Sequence, residues 1–143
     1  MKTTLSLFLA ILSTASLAPA QSGPYTPRAG SVERKGIMDA ARIPVEAEFK
    51  KKIVFKVDHL KVDDQWAFMV AIPQQQDGKP AYVGTPYEAR WKAGGFSNLV
   101  CVLLRKQNSK WRIVTYSIGP TDVVYEDWDR KYKAPSAIFK PTS

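Results

Sequence analysis

The spacing of hydrophobic positions changes several times along this chain, and each change marks a new element. After Ser31, whose side-chain oxygen suits a helix N-cap, the segment "VERKGIMDAARIPVEAEF" places Ile37, Ala41, Val45 and Phe49 four residues apart. Glu33, Arg34, Asp39, Arg42 and Glu46 fall between them, so the spacing predicts one amphipathic helix with a single apolar stripe. Pro44 removes a backbone bond to Ala40 and is expected to kink this helix or split it in two. From Lys52 the period becomes two: Ile53, Phe55 and Val57 alternate with Lys52, Val54 and Lys56. The step from Val57 to Leu60 breaks that parity, which predicts a bulge near Asp58 and His59. Asp63 and Asp64 then make a turn, and "QWAFMVAI" resumes the alternation with Trp66, Phe68, Val70 and Ile72 on one face. These two strands form a hairpin.

Between Pro73 and Asn98 the periodicity is lost in a stretch rich in Pro, Gly and polar residues, long for a loop inside one domain. It nevertheless carries Tyr82, Tyr87, Trp91 and Phe96, and "PYEARWKAG" can wind into a short helix ended by Gly94. A second hairpin follows, "LVCVLLRK" and "WRIVTYSI" joined by "QNSK". Gly119 and Pro120 end the last strand, and Thr121 can cap a terminal helix with Asp122 in its first turn. In that helix Glu126 would pair with Arg130 and Asp127 with Lys131, while Val124, Trp128 and Tyr132 share a face. The expected fold is α+β: a four-stranded antiparallel meander sheet, an N-terminal amphipathic helix packed on one face and a short C-terminal helix.

The first twenty residues place Lys2 before the apolar run "LSLFLAIL" and the small residues "STASLAPA", the layout of a secretory signal peptide cleaved after Ala20. The apolar run is well short of the ~20 residues that span a bilayer, so no transmembrane segment is expected after cleavage. Residues 21–30, "QSGPYTPRAG", read as a flexible lead, and residues 31–143 as one domain. Cys101 is the only cysteine and lies in an apolar run, so the fold is expected to stand on its core without an internal disulfide. The formal charge of +8 favours anionic partners. Export and the scatter of Lys50–Lys52, Arg105 and Lys106 argue against nucleic acid and leave anionic envelope polymers as an alternative.

Candidate chemistry is sparse. One histidine and one cysteine, far apart, exclude the usual zinc sets, and "DVVYEDWD" lacks the oxygen spacing of a calcium loop, so no metal is expected. No phosphate-binding glycine motif points to a cofactor. Weak catalytic candidates are Asp58 and His59 at the predicted bulge and Glu88 in the long loop. Neighbours in a strand point to opposite faces, which disfavours an acid and base pair at 58 and 59. Tyr82, Tyr87, Arg90, Trp91 and Phe96 have the composition enriched at interfaces and are the candidate partner-binding residues; equally, they could fold back as a lid over the sheet.

In element order the chain resembles the cystatin-like and NTF2-like groups of sheet-plus-helix domains. Through "GSVERKGIMDAARIPV" and "WRIVTYSIGPTDV" it is similar to small exported bacterial proteins of uncharacterised function. That resemblance implies export and fold but no reaction and no residue roles. The expected function is a periplasmic or secreted, non-catalytic binding domain of the inhibitor or immunity type, acting on a protein or envelope component. The rival expectation is a small-ligand carrier or hydrolase-type enzyme with a pocket under the 73–98 loop.

Overall fold

A computed structural model describes residues 23–141; the expected signal peptide lies outside the described residues. Helix α1 runs from Val32 to Phe49, and Ser31 Oγ accepts a hydrogen bond from the Arg34 N–H at 3.2 Å. Pro44 does not split it. Ala41 and Val45, both fully buried, anchor the helix on either side of the lost backbone bond, and tertiary packing of this kind outweighs one missing bond. Beyond the helix, Arg42 Nε donates to the Ile53 carbonyl and Glu46 Oε1 accepts from the Ile53 N–H, which clamps the connection to the sheet.

Strands β1 (Val54–Asp63), β2 (Trp66–Gln74), β3 (Val100–Gln107) and β4 (Lys110–Ile118) form one antiparallel sheet in sequential order. The predicted bulge is present: the β1–β2 register shifts between Val57 and His59. A second shift between Leu103 and Leu104 leaves Val114 as the extra residue of β4. Asn108 and Ser109 both have positive φ, the backbone that a two-residue hairpin turn requires.

Both faces of the sheet are covered. On the first, α1 buries Leu60, Val62, Met69, Ala71, Val102 and Leu104. On the second, Phe68, Val70, Cys101 and Leu103 lie beneath Trp128, Ala134 and Ile138. Double coverage explains why "WAFMVAI" and "LVCVLL" read as nearly continuous apolar runs: inward and outward positions alike are buried.

The C-terminal segment departs from expectation. Helix α3 spans only Trp128–Tyr132 and a 3-10 turn follows at Ser136–Phe139, while residues 121–127 are bends and turns. Thr121 therefore caps nothing, and the ion pairs among the described residues involve neither Glu126 nor Asp127. Aromatic packing decides the conformation. Around the Phe68 ring sit Tyr125 at 4.7 Å, Phe139 at 4.6 Å and Trp128 at 6.1 Å, between centroids. Burial of a large aromatic side chain contributes about 2 kcal/mol, and an exposed helical ion pair only about 0.2–0.5 kcal/mol.

Residues 23–30 also differ from the expected flexible lead. Tyr25 and Val62 exchange backbone hydrogen bonds of 2.9 and 2.8 Å, and the Tyr25 hydroxyl donates to Glu33 at 2.8 Å. Tyr25 is the one large apolar group in a stretch of Gly, Pro and Ser, and it ties that stretch to the outer edge of β1.

Candidate functional site

The 73–98 loop is packed against the body. Helix α2 (Tyr87–Lys92) lies within it, and Gly94 (φ 76) follows as expected of a helix end. Tyr82 and Phe96 are buried in the α1-side core. Phe96 stacks on Tyr87 at 4.9 Å and meets Phe49 of α1 edge-on at 6.5 Å. Trp91 stacks on Tyr82 at 5.1 Å but keeps 44% of its surface exposed, and Arg90 lies over the Tyr87 and Phe96 rings at 5.6 and 5.7 Å. Lys51 Nζ donates to the Val83 carbonyl. Of the candidate partner-binding residues, Tyr82 and Phe96 are thus part of the core, Tyr87 is half-buried, and only Arg90 and Trp91 are exposed. The lid alternative describes this loop better.

Glu88 serves the same loop. Its carboxylate accepts from the Gly84 N–H at 3.0 Å and sits 3.2 Å from the Lys92 ammonium. These contacts, the Gly84 hydrogen bond first, hold its carboxyl below the usual glutamate range. Beside it a shallow cleft of about 490 Å³ is lined by Phe49, Lys51, Thr85 and Tyr87, without Asp58, His59 or Glu88. This cleft beside α2 therefore does not hold the catalytic candidates.

The cleft that does contain Asp58 and His59 opens on the opposite, second face of the sheet, with a volume of about 590 Å³. The bulge places it there. Because the register slips at Asp58, His59 pairs with Val70 and Lys61 with Phe68, and both therefore point to the face that Phe68 and Val70 occupy. The cleft has an apolar floor of Phe68, Val70 and Leu99, a wall of Tyr125 and Phe139, and a polar end at Arg34, Asp58, His59 and Lys61. A second cleft of about 690 Å³ shares Val70, Leu99 and Tyr125 with the first and continues over Cys101 to Thr121 and Val123. Together they form a trough across the second face, bounded by the bulge at one end and the 120–123 turn at the other.

His59 has a defined state in this trough. Its Nε2 lies 2.7 Å from the Ile138 carbonyl, an acceptor only, so Nε2 must carry hydrogen. In neutral His59 that leaves Nδ1 as an acceptor without a protein partner among the described residues. The same bond ties the C-terminal segment to β1. Asp58, the bulge residue, is exposed, and its side chain makes no ion pair among the described residues. No described cleft places Glu88 beside these two. Among the described residues no group of three or more His, Cys, Asp or Glu side chains is placed to hold a metal ion.

Cys101 lines the trough floor, and burial pushes its thiol up to about 11, which keeps it protonated and unreactive at neutral pH. Val70, Leu99, Cys101 and Tyr125 were not legible as site residues, because they are ordinary apolar positions brought together only by the meander and the returning C-terminus. Among the described residues no helix is long and apolar enough to cross a membrane. Comparison with family models, with curated proteins and with solved structures found no match.

Proposed function

We propose that this chain is a non-catalytic binding domain that acts after export, in the periplasm or outside the cell, and that it takes a small, largely apolar ligand with one polar group in the second-face trough. One observation carries this reading: two neighbouring clefts that share Val70, Leu99 and Tyr125 present apolar side chains on the second face, and one of them ends in a polar rim. Sites for small ligands have this composition, a mainly hydrophobic lining with a few placed polar groups. His59 Nδ1 and the cations of Arg34 and Lys61 would meet the polar group. Asp58 and His59 do not form an acid and base pair, so the rim supports recognition better than hydrolysis. The element order still suits a cystatin-like or NTF2-like relationship, with the ligand's apolar part on the second face and its polar end at the β1 edge, where Arg34 of α1 reaches the cleft.

This replaces the loop aromatics as the contact surface, since an interface built on Tyr82 and Phe96 would have to open the core. A polyanion site at Lys50–Lys52 has less support: Lys51 is held by Val83, and Lys52 lies 3.8 Å from Glu46. The test is displacement of an environment-sensitive naphthalene sulfonate dye by medium-chain carboxylates. Wild type should bind the dye with enhanced fluorescence, and Leu99→Trp, which fills the half-buried floor position, should abolish the enhancement while keeping the far-UV spectrum. Equal dye binding by a folded Leu99→Trp protein would refute the trough as the site.

A further inference from the structure

We infer that the outer edge of β4 is a docking site for an extended, acidic segment of another protein, added to the sheet as a fifth strand. The two edges of the sheet are treated differently. The β1 edge is blocked at Val62 by Tyr25, whereas β4 has β3 as its one strand neighbour, and no other described backbone pairs with residues 110–117. An unpaired strand edge presents a row of N–H and C=O groups that an extended peptide can complete.

The ground beside that edge is shaped for side chains. A groove of about 690 Å³ runs between α1 and the β3–β4 hairpin, bounded by Val32, Ile43 and Trp111. Val32 is 90% and Ile43 71% exposed, unusual for large apolar residues on a helix that is otherwise amphipathic. Gly36 lets the helix approach the Trp111 ring closely: a Cβ there would lie 3.2 Å from the indole. The Trp111 Nε1 is buried without a hydrogen-bond partner among the described residues. The groove thus offers an apolar seat beside an open hydrogen-bonding edge.

Charge selects the occupant. Lys110 and Arg112 on the edge are exposed and make no ion pair among the described residues. The acids of the groove already have partners: Glu33 accepts a hydrogen bond from the Tyr25 hydroxyl and lies 4.0 Å from the Lys106 ammonium, and Asp39 pairs with Lys35 and Arg42. The uncompensated charge is cationic, which favours an acidic strand. A second copy of this chain fits less well, because it carries the same cations on a basic surface.

The experiment is a titration of the isotope-labelled protein with an acetylated, amidated octapeptide of alternating Glu and Val, followed by amide chemical shifts and hydrogen exchange, with a Lys and Val octapeptide as control. The acidic peptide should shift amides of 110–118 and of α1 near Val32 and Ile43 and should slow exchange along β4. Lys110→Glu with Arg112→Glu, and separately Ile43→Asp, should each weaken binding by about tenfold without changing the unfolding midpoint, and added salt should weaken it for wild type. Absence of shifts up to about 1 mM peptide, a concentration that would detect binding of only about −4 kcal/mol, overturns the inference. So does equal affinity in the folded variants, or shifts confined to the trough. A dimeric mass without peptide, accompanied by protected β4 amides, would assign the edge to a second copy and overturn the acidic partner. These readouts do not involve the second face, so failure here leaves the trough reading standing, and the reverse.

Discussion

Gly119 offers a sharp test of how the loop closes on the sheet. Its φ is +70°, and a Cβ built there would lie 1.9 Å from a ring carbon of Phe96, which is 5% exposed and wedged between Phe49, Tyr82 and Tyr87. In Gly119→Ala, left-handed backbone with a Cβ costs about 1–2 kcal/mol. Forcing the packed ring aside adds about 1–3 kcal/mol. Phe96→Ala alone removes a core aromatic, a loss of about 3–5 kcal/mol. In the double variant the ring is absent, so only the backbone part of the Gly119 cost remains. The two changes should therefore be less than additive by about 1–3 kcal/mol. Domains of this size have about 5–15 kcal/mol in total, so urea unfolding followed by circular dichroism at low temperature can resolve all four proteins. Additivity within about 0.5 kcal/mol, the behaviour of independent sites, would refute the contact between the 94–97 loop and the end of β4.

Other outcomes follow from the same contacts. Trp128→Ala should destabilise by about 3–5 kcal/mol, whereas Trp91→Ala, at a half-exposed ring, should cost about 1 kcal/mol; equal stability of the Trp128 variant and wild type would mean that the C-terminal segment is not docked on Phe68. Cys101 should resist an aromatic disulfide reagent at pH 8 in the native protein and react once urea unfolds it; rapid stoichiometric labelling of the native state would contradict its burial. Tyr25 is pushed up to about 12 by burial, then by its bond to Glu33, so an absorbance titration should show a tyrosine that ionises well above the usual value near 10. The neutral phenol is favoured by folding, so this contribution is complete below about pH 10, the unfolded value, and is lost as pH rises towards about 12. Glu33→Gln should move the transition back, and an unchanged titration would deny the Tyr25–Glu33 bond.

Much of the fold was legible because its signals are local. Ser31, the four-residue spacing of α1, the parity slip at Asp58 and the "QNSK" turn each specify backbone within a few residues. The C-terminus departs from its local pattern for the opposite reason. Thr121, Glu126 and Asp127 compose a good local helix pattern, yet Tyr125, Trp128 and Phe139 gain more by packing around Phe68, a partner more than fifty residues away. Pro44 likewise warned of a break that the packing of Ala41 and Val45 overrides. The loop aromatics were found but not placed: composition cannot distinguish rings that face a partner from rings that face Phe49. The bulge at His59 was legible as a feature, but the trough it feeds depends on the second layer, which no period in the chain announces.

The most direct test of the central claim is a titration of the methyl-labelled protein with octanoate, reading the methyl groups of Val70 and Leu99 and the ring of His59. Saturable shifts at these three, with the Trp91 indole and the α1 methyls unmoved, are the predicted result. Shifts centred on Arg90 and Trp91, or none at Val70 and Leu99 while octanoate binds elsewhere, would contradict the trough as the binding surface.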